Sequence, residues 1–198
     1  EVRRGVHVQA VERAGDRWLI RTDGLAETCS QLIVATSPSH AQTLLGPVDP
    51  QLAQALQFDY QPITTCYLQY PSELTLSAPM FALIDDPAQQ HWGQFVFDRG
   101  QLDPAQAGRL AVVVSASADA LANDNGAEAL ATAIAQHLAT VLKRPALATP
   151  VWTKLITEKR ATFDCVPRLK RPPNATAHDG LWLAGDYTVS DYPATLEG

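Results

Sequence analysis

A mixed α+β fold is what this sequence predicts, and three observations carry it. Short apolar runs separated by tight turns fill the segment 6–36, which reads as a small β unit. The middle of the chain holds several strand-like runs and one long stretch with helical spacing. A last apolar run, Leu181-Trp182-Leu183-Ala184, ends at Gly185-Asp186 and is followed by a segment at Pro193 that reads as the opening of a helix.

The elements follow in order. Val6, Val8 and Val11 mark a first strand, and Arg13 to Arg17 a turn. Trp18 to Thr22 reads as a second strand closed by Asp23-Gly24, a pair suited to a tight hairpin turn. Gln31 to Thr36, with Leu32-Ile33-Val34-Ala35 at its centre, reads as a third strand, making a unit of about three strands. After Pro38, the stretch Ser39 to Leu45 reads as a short helix stopped by Gly46. Asp49-Pro50 pairs an N-cap with a proline at the first helical position and starts a second helix reaching Gln57.

Strands are expected at Thr64 to Gln69, Met80 to Ile84, Gln94 to Asp98 and Leu110 to Ser117, with turns at Asp85-Asp86-Pro87 and Asp98-Arg99-Gly100. Ala127, Leu130, Ile134, Leu138 and Val141 recur at spacings of three and four, which predicts a helix capped by Asn123 to Asn125 and ended before Pro145. Val151 to Glu158 has period two and predicts a strand. Arg171-Pro172-Pro173-Asn174 reads as a loop.

Composition narrows the function. Of 198 residues, 46% are hydrophobic and 18% charged, enough for a substantial core and against general disorder. The net charge of −6 and the scarcity of basic clusters argue against nucleic acid as a partner. Lys159-Arg160 and the run Arg168 to Arg171 read as solvated loop cations. No apolar run approaches the roughly 18 residues of a membrane span. Three widely spaced cysteines, Cys29, Cys66 and Cys165, suit reduced thiols in a cytoplasmic protein, and Cys165 reads as a small buried thiol. Without paired cysteine or histidine spacing, a metal site is not expected.

Most catalytic constellations are missing. There is no Gly-x-Ser-x-Gly elbow, no Walker loop and no Gly-x-Gly-x-x-Gly. Asp85-Asp86 precedes a proline and reads as a turn. His40 and His137 fall on expected helices and read as packing or surface groups. The end of the chain is different. A strand that delivers Gly185-Asp186 and then a helix start combines close backbone approach, a carboxylate acceptor and unpaired N–H groups. That combination suits a polyanionic cofactor.

The whole terminal string is more specific than the Gly-Asp pair. Ala184-Gly185-Asp186 followed by Pro193-Ala194-Thr195-Leu196-Glu197-Gly198 resembles the C-terminal signature of the flavin-containing amine oxidase and phytoene desaturase superfamily. The opening resembles it too, with Val8, Asp23-Gly24, then Ile33-Val34-Ala35-Thr36 and Pro38. Glu158 to Phe163, and the Val113 to Ala118 strand, are similar to the squalene-associated FAD-dependent desaturase branch, which contains hydroxysqualene dehydroxylase. The similarity spans most of the chain.

The resemblance implies a fragment of a two-domain FAD-binding Rossmann-type oxidoreductase, with a β-meander piece and a mixed antiparallel substrate-domain sheet plus helices. Residues 1–47 and 179–198 would belong to the FAD-binding domain and 48–178 to the substrate-binding domain. The FAD-binding residues it implies are Val8, Ala35, Gly185, Asp186, Ala194, Thr195 and Leu196. Asp186 would accept hydrogen bonds near the ribityl or pyrophosphate part, and the main chain at Thr195 and Leu196 would face the flavin N1 and O2. Tyr67, Trp92, Phe95 and Phe97 are candidates for the wall of a polyprenyl site.

The implied activity is reductive removal of an allylic hydroxyl from a squalene-type isoprenoid, the redox chemistry lying in the cofactor. The acid that would protonate that hydroxyl has no candidate here. Carotenoid desaturation or amine oxidation are alternatives within the superfamily, and a non-enzymatic scaffold with a degenerate flavin fold is one outside it. A bilayer-derived substrate implies peripheral contact with the inner membrane. Because the Gly-x-Gly-x-x-Gly fingerprint is absent, these 198 residues alone are expected to hold FAD weakly or not at all and to be inactive.

Overall fold

The computed structural model describes residues 1–122 and 126–192 and divides into two compact units. The first comprises Glu1–Asp59 with Phe163–Gly198, and the second Tyr60–Thr162. The divisions at 59/60 and 162/163 stand beside the sequence-based boundaries of 47/48 and 178/179.

The first unit opens with a three-stranded antiparallel sheet. β1 (Val8–Ala14) pairs with β2 (Arg17–Thr22), which pairs with β3 (Ala26–Cys29). The meander's third strand is therefore Ala26–Cys29, a short polar run with none of the apolar alternation that marks strands in sequence. The run expected to fill that place, β4 (Leu32–Val34), instead pairs in parallel with the distant β10 (Leu181–Leu183). Two helices follow β4. α1 (Pro38–Leu45) begins one residue earlier than expected, with proline in its first turn, and α2 (Pro50–Ala55) ends two residues short of Gln57. Asp49 caps α2 by accepting from the amides of Gln51 and Leu52 at 2.9 and 3.0 Å.

Trp18 joins these parts. Fully buried, it donates through Nε1 to the carbonyl of Asp179 at 3.0 Å, under the guanidinium of Arg13. The ring of His178 meets Trp18 edge-on, and its Nε2 lies 2.9 Å from Asp49 Oδ2. Hydrogen bonds from Leu52 and then His178 hold the Asp49 carboxyl below its ordinary pKa. The turn before β10 needs glycine. Gly180 has φ +73°, and a Cβ there would sit 2.3 Å from the carbonyl oxygen of Ser30. The Gly180 carbonyl accepts from Leu32 N at 2.7 Å, which brings β10 alongside β4.

The second unit is a five-stranded sheet in the order β6-β7-β8-β5-β9, with one face under a helix. Its strands are β5 (Tyr60–Gln69), β6 (Met80–Ala82), β7 (Phe95–Asp98), β8 (Arg109–Ser115) and β9 (Trp152–Phe163). Each expected strand is present with shifted ends. The one-turn helix α3 (Arg99–Leu102) follows β7, and the 16-residue α4 (Gly126–Val141) covers the sheet. The expected cap of α4 at Asn123 to Asn125 lies outside the described residues. Short 3-10 turns at Pro87–Gln89 and Pro104–Gln106 each start from an aspartate, Asp86 and Asp103, whose carboxylate takes the amide two residues on.

Alternation along β5 explains the core. Thr64, Cys66 and Leu68 point to the helix side with Val96, Leu110, Val112 and Val114, and meet Leu130, Ile134 and Leu138 of α4. Full burial of each such aliphatic chain contributes about 1.5–3 kcal/mol. Burial pushes the Cys66 thiol up to about 12, so it is inert packing. Thr64 closes a hydroxyl chain with Ser117 and Thr157 at 2.7 and 2.8 Å. Cys165, by contrast, is exposed, in the solvent-facing stretch 165–168 that follows β9.

On the buried side of α4, beside Gly93, His137 stacks flat on His91, with centroids 4.0 Å apart. Neither His137 ring nitrogen has a hydrogen-bond partner among the described residues. Burial first, and the neighbouring His91 second, lower the His137 pKa. A depressed histidine pKa means the unfolded chain binds the extra proton, so stability is complete above about 6.5 and falls as pH drops below it. The melting temperature of the wild type is therefore expected to fall more steeply from pH 7 to pH 5 than that of His137→Leu. Equal slopes would remove His137 as the cause.

Candidate functional site

β4 and β10 end side by side. Leu181, Trp182 and Leu183 lie opposite Leu32, Ile33 and Val34, and the amide of Ala184 donates to Val34 O at 3.0 Å. One strand thus delivers Ala35 and the other Gly185-Asp186 at the same edge. Carboxyl ends of parallel strands are where open α/β sheets collect ligands. Ala35 and Gly185 are exposed and Asp186 is half-buried.

The loop after β10 is held by its own main chain and by the segment 171–174. The amide and hydroxyl of Thr188 both donate to Gly185 O, at 3.0 and 2.8 Å. Asn174 Nδ2 donates to Leu183 O and to Thr188 Oγ1, each at 3.1 Å. The amide of Val189 reaches Pro172 O at 2.8 Å. Arg171 donates to the carbonyls of Asp186 (3.2 Å), Tyr192 (2.8 Å) and Ser190.

The cations read as solvated loop are therefore not uniform. Arg171 is built into the loop's structure, and Lys159-Arg160 lie on β9, with the Arg160 guanidinium 6.0 Å from the ring centroid of Tyr60. No local pattern singles out Arg171; three carbonyls converge on it only because β10 has returned to β4.

Gly185 has a packing reason of its own. A Cβ there would fall 2.4 Å from Cε1 and 2.8 Å from Cδ1 of Tyr187. Tyr187 is buried, its hydroxyl 3.5 Å from Val34 O and its ring 6.4 Å from that of Phe58. Glycine is required on the inner side whether or not a ligand approaches the outer one. The Asp186 carboxylate accepts no hydrogen bond among the described residues, and only its carbonyl is engaged. Its oxygens are left for an outside donor.

Val8 opens β1 opposite Thr22, at an irregularity between Val8 and Ala10, and so stands on the meander rather than on the β4–β10 pair. Ala194, Thr195 and Leu196 lie outside the described residues. The residues in view fit a flavin nucleotide: two small exposed backbone stretches at one strand edge, with an unengaged carboxylate beside them. Among the described residues no cluster of metal ligands occurs, and no helix is long and apolar enough to cross a membrane.

The second unit offers an apolar surface. By register, Met80, Phe97, Ala111 and Tyr67 form one row across the sheet face away from α4, and Ala82, Phe95, Val113 and Thr65 the next. Phe95 is 42% exposed and Met80 50%, so this face is open within its unit. Trp152 and Ile156 of β9 extend it, with Arg109 stacked on Trp152. Trp92 departs from the expectation. It precedes β7 and packs against the core cluster, so it does not belong to the open face.

A 50-residue segment is 44% identical to the hydroxysqualene dehydroxylase of Zymomonas mobilis subsp. mobilis, covering 24% of this chain and 12% of that protein. A 51-residue segment is 43% identical to the hydroxysqualene dehydroxylase of Sinorhizobium fredii, covering 25% and 12%. Among solved structures, a provisionally named protoporphyrinogen oxidase from Exiguobacterium sp. 255-15 superposes with a TM-score of 0.60 at 14% identity, over 92% of this chain and 42% of that one. Cyclohexylamine oxidase from Brevibacterium oxydans IH-35A gives 0.55 at 12%, over the same shares. These two likenesses are of fold, and the chain spans less than half the length of either protein. The sequence profile of the flavin containing amine oxidoreductases matches residues 1–198, so the chain belongs to that family.

Proposed function

We propose that this chain is part of an FAD-dependent oxidoreductase acting on a squalene-type isoprenoid, a hydroxysqualene dehydroxylase-like enzyme. The observation that carries the cofactor is the shared edge of Ala35 and Gly185-Asp186, with a carboxylate that no neighbour among the described residues engages. The short segments at 43–44% identity to two hydroxysqualene dehydroxylases support the substrate class. So does an open sheet face of Phe95, Phe97, Tyr67 and Met80, which offers dispersion contacts to a long hydrocarbon.

In this reading Asp186 accepts a hydroxyl of the cofactor's sugar chain. Ala35 and Gly185 let main chain approach it, and the apolar face keeps water from the hydrocarbon. Bound FAD would supply the two-electron chemistry. A substrate drawn from a bilayer would bring the full protein to a membrane surface.

Two measurements on the full-length protein test the reading. Asp186→Ala is expected to raise the dissociation constant for FAD at least about tenfold, the size of one charge-assisted hydrogen bond, with the melting temperature of the flavin-free protein unchanged. Anaerobic incubation of hydroxysqualene with protein and reduced FAD is expected to yield squalene. Binding of FAD without squalene would retire the substrate and leave the cofactor. An Asp186→Ala variant that binds FAD like the wild type would retire the role of Asp186.

A further inference from the structure

We infer that Arg171 is a positioning residue for the cofactor edge: its guanidinium acts as a three-point clamp that sets the path of the loop from Asp186 to Tyr192. The inference rests on the flavin reading above for its consequence, but the clamp stands on geometry alone. Nη1 reaches two carbonyl oxygens, Asp186 at 3.2 Å and Tyr192 at 2.8 Å, and Nη2 reaches a third, on Ser190. Three acceptors spread over seven residues meet one planar group. Among the described residues no carboxylate pairs with Arg171, so the three carbonyl dipoles are what hold its charge.

The segment carrying Arg171 is itself tied to the loop, which gives the clamp a fixed base. Pro172 O takes the amide of Val189, and Asn174 O takes the amide of Leu183 at 2.8 Å. Asn174 Nδ2 then bonds Leu183 O and Thr188 Oγ1. The run 171–174 therefore lies along the loop like a splint, and Arg171 is its far end, spanning to Tyr192. Without it, the loop beyond Thr188 keeps, among the described residues, only the Val189 amide and the local bonds between Ser190 and Tyr192. The Asp186 carbonyl would lose a bond at the residue whose side chain we place on the cofactor.

Lysine cannot replace this group. Its ammonium is a compact point charge with tetrahedral donors, whereas the planar fork of arginine reaches several acceptors lying near one plane. A residue acting only through its charge would tolerate lysine, while a clamp would not.

The test uses the full-length protein and FAD as the probe. Arg171→Lys and Arg171→Ala are compared with the wild type by FAD titration and by hydrogen exchange of the amides at 186–192 in flavin-free protein. Both variants are expected to exchange those amides at least tenfold faster, with protection of the α4 amides unchanged. Both are expected to bind FAD at least tenfold more weakly. Ethylguanidinium is expected to restore part of the affinity of Arg171→Ala and none of that of the wild type, an effect that a general loss of stability would not produce. Unchanged exchange at 186–192 in Arg171→Lys would overturn the clamp. Faster exchange with FAD affinity within twofold of the wild type would overturn its link to the cofactor. If the wild type itself binds no FAD, the flavin reading fails, while the exchange measurement still decides the clamp.

Discussion

Gly185→Ala is expected to destabilise the unit carrying β4 and β10 by about 2 kcal/mol, within the range for overpacking a closed site. The new methyl would stand 2.4 Å from Cε1 of Tyr187, and that ring has nowhere easy to go. It is 1% exposed, in contact range of Phe58, with its hydroxyl against Val34 O. Moving the ring would disturb Val34, the residue opposite Leu183 in the parallel pair. The strand edge that presents Ala35 and Asp186 would shift with it, so FAD affinity is expected to fall along with stability. A double-mutant cycle separates the two explanations for this glycine. If the Tyr187 ring is the obstacle, Gly185→Ala should cost at least about 1 kcal/mol less in a Tyr187→Leu background, measured by urea unfolding of the flavin-free protein. If close approach of a cofactor is the only reason for glycine, the cost without flavin should be near zero in both backgrounds.

The parts of this molecule that were legible in sequence are those whose signal is local. α4 shows in the spacing of four between Leu130, Ile134 and Leu138, because each must face the sheet. The start of α2 shows in Asp49-Pro50, because cap and proline act within one turn. β5, β7 and β8 show as apolar runs. β3 did not show, since Ala26–Cys29 is held by its pairing with β2 and buries almost nothing. The partner of β4 did not show either. Leu32–Val34 reads equally well as the next strand of a meander, and only the return of the chain at Leu181 decides between the two.

The candidate site divides in the same way. Gly185-Asp186 stands out as a motif, whereas Arg171 looks like one of several loop cations until the three carbonyls converge on it. Trp92 carries the same composition signal as Phe95 and Phe97. It precedes the strand, outside the register that sorts faces, and it went to the core.

Asp98→Ala is expected to cost the sheet unit about 3 kcal/mol or more. Asp98 is 1% exposed, at the end of β7. One carboxylate oxygen accepts from Thr75 Oγ1, Leu76 N and Gln101 Nε2, at 3.0, 2.8 and 2.8 Å, and the other accepts from Gly100 N at 3.0 Å. Alanine would strand the buried Leu76 amide, at about 1–3 kcal/mol, and remove the acceptor that ties Thr75, Gly100 and Gln101 to the strand end. Asparagine keeps the size but turns an N–H₂ toward donors, so it should recover less than half of the loss.

The pH dependence identifies the charge. Burial raises the Asp98 pKa, but bonds from Gln101, Leu76, Thr75 and Gly100 outweigh it and hold the carboxyl below its ordinary value. A depressed carboxyl pKa contributes stability that is present above the unfolded value of about 3.9 and is lost as pH falls through the folded one. The gap between wild type and Asp98→Asn should therefore hold steady from pH 7 to about 4.5 and close below that. The His137 contribution runs in a separate window, since it has begun to fall by pH 6. Urea unfolding at pH 7, 5 and 3.5 resolves the two. A gap that closed by pH 5 would mean that Asp98 is not held ionised by its four donors, and that the end of β7, with Phe95 and Phe97 on the open face, is anchored by packing alone.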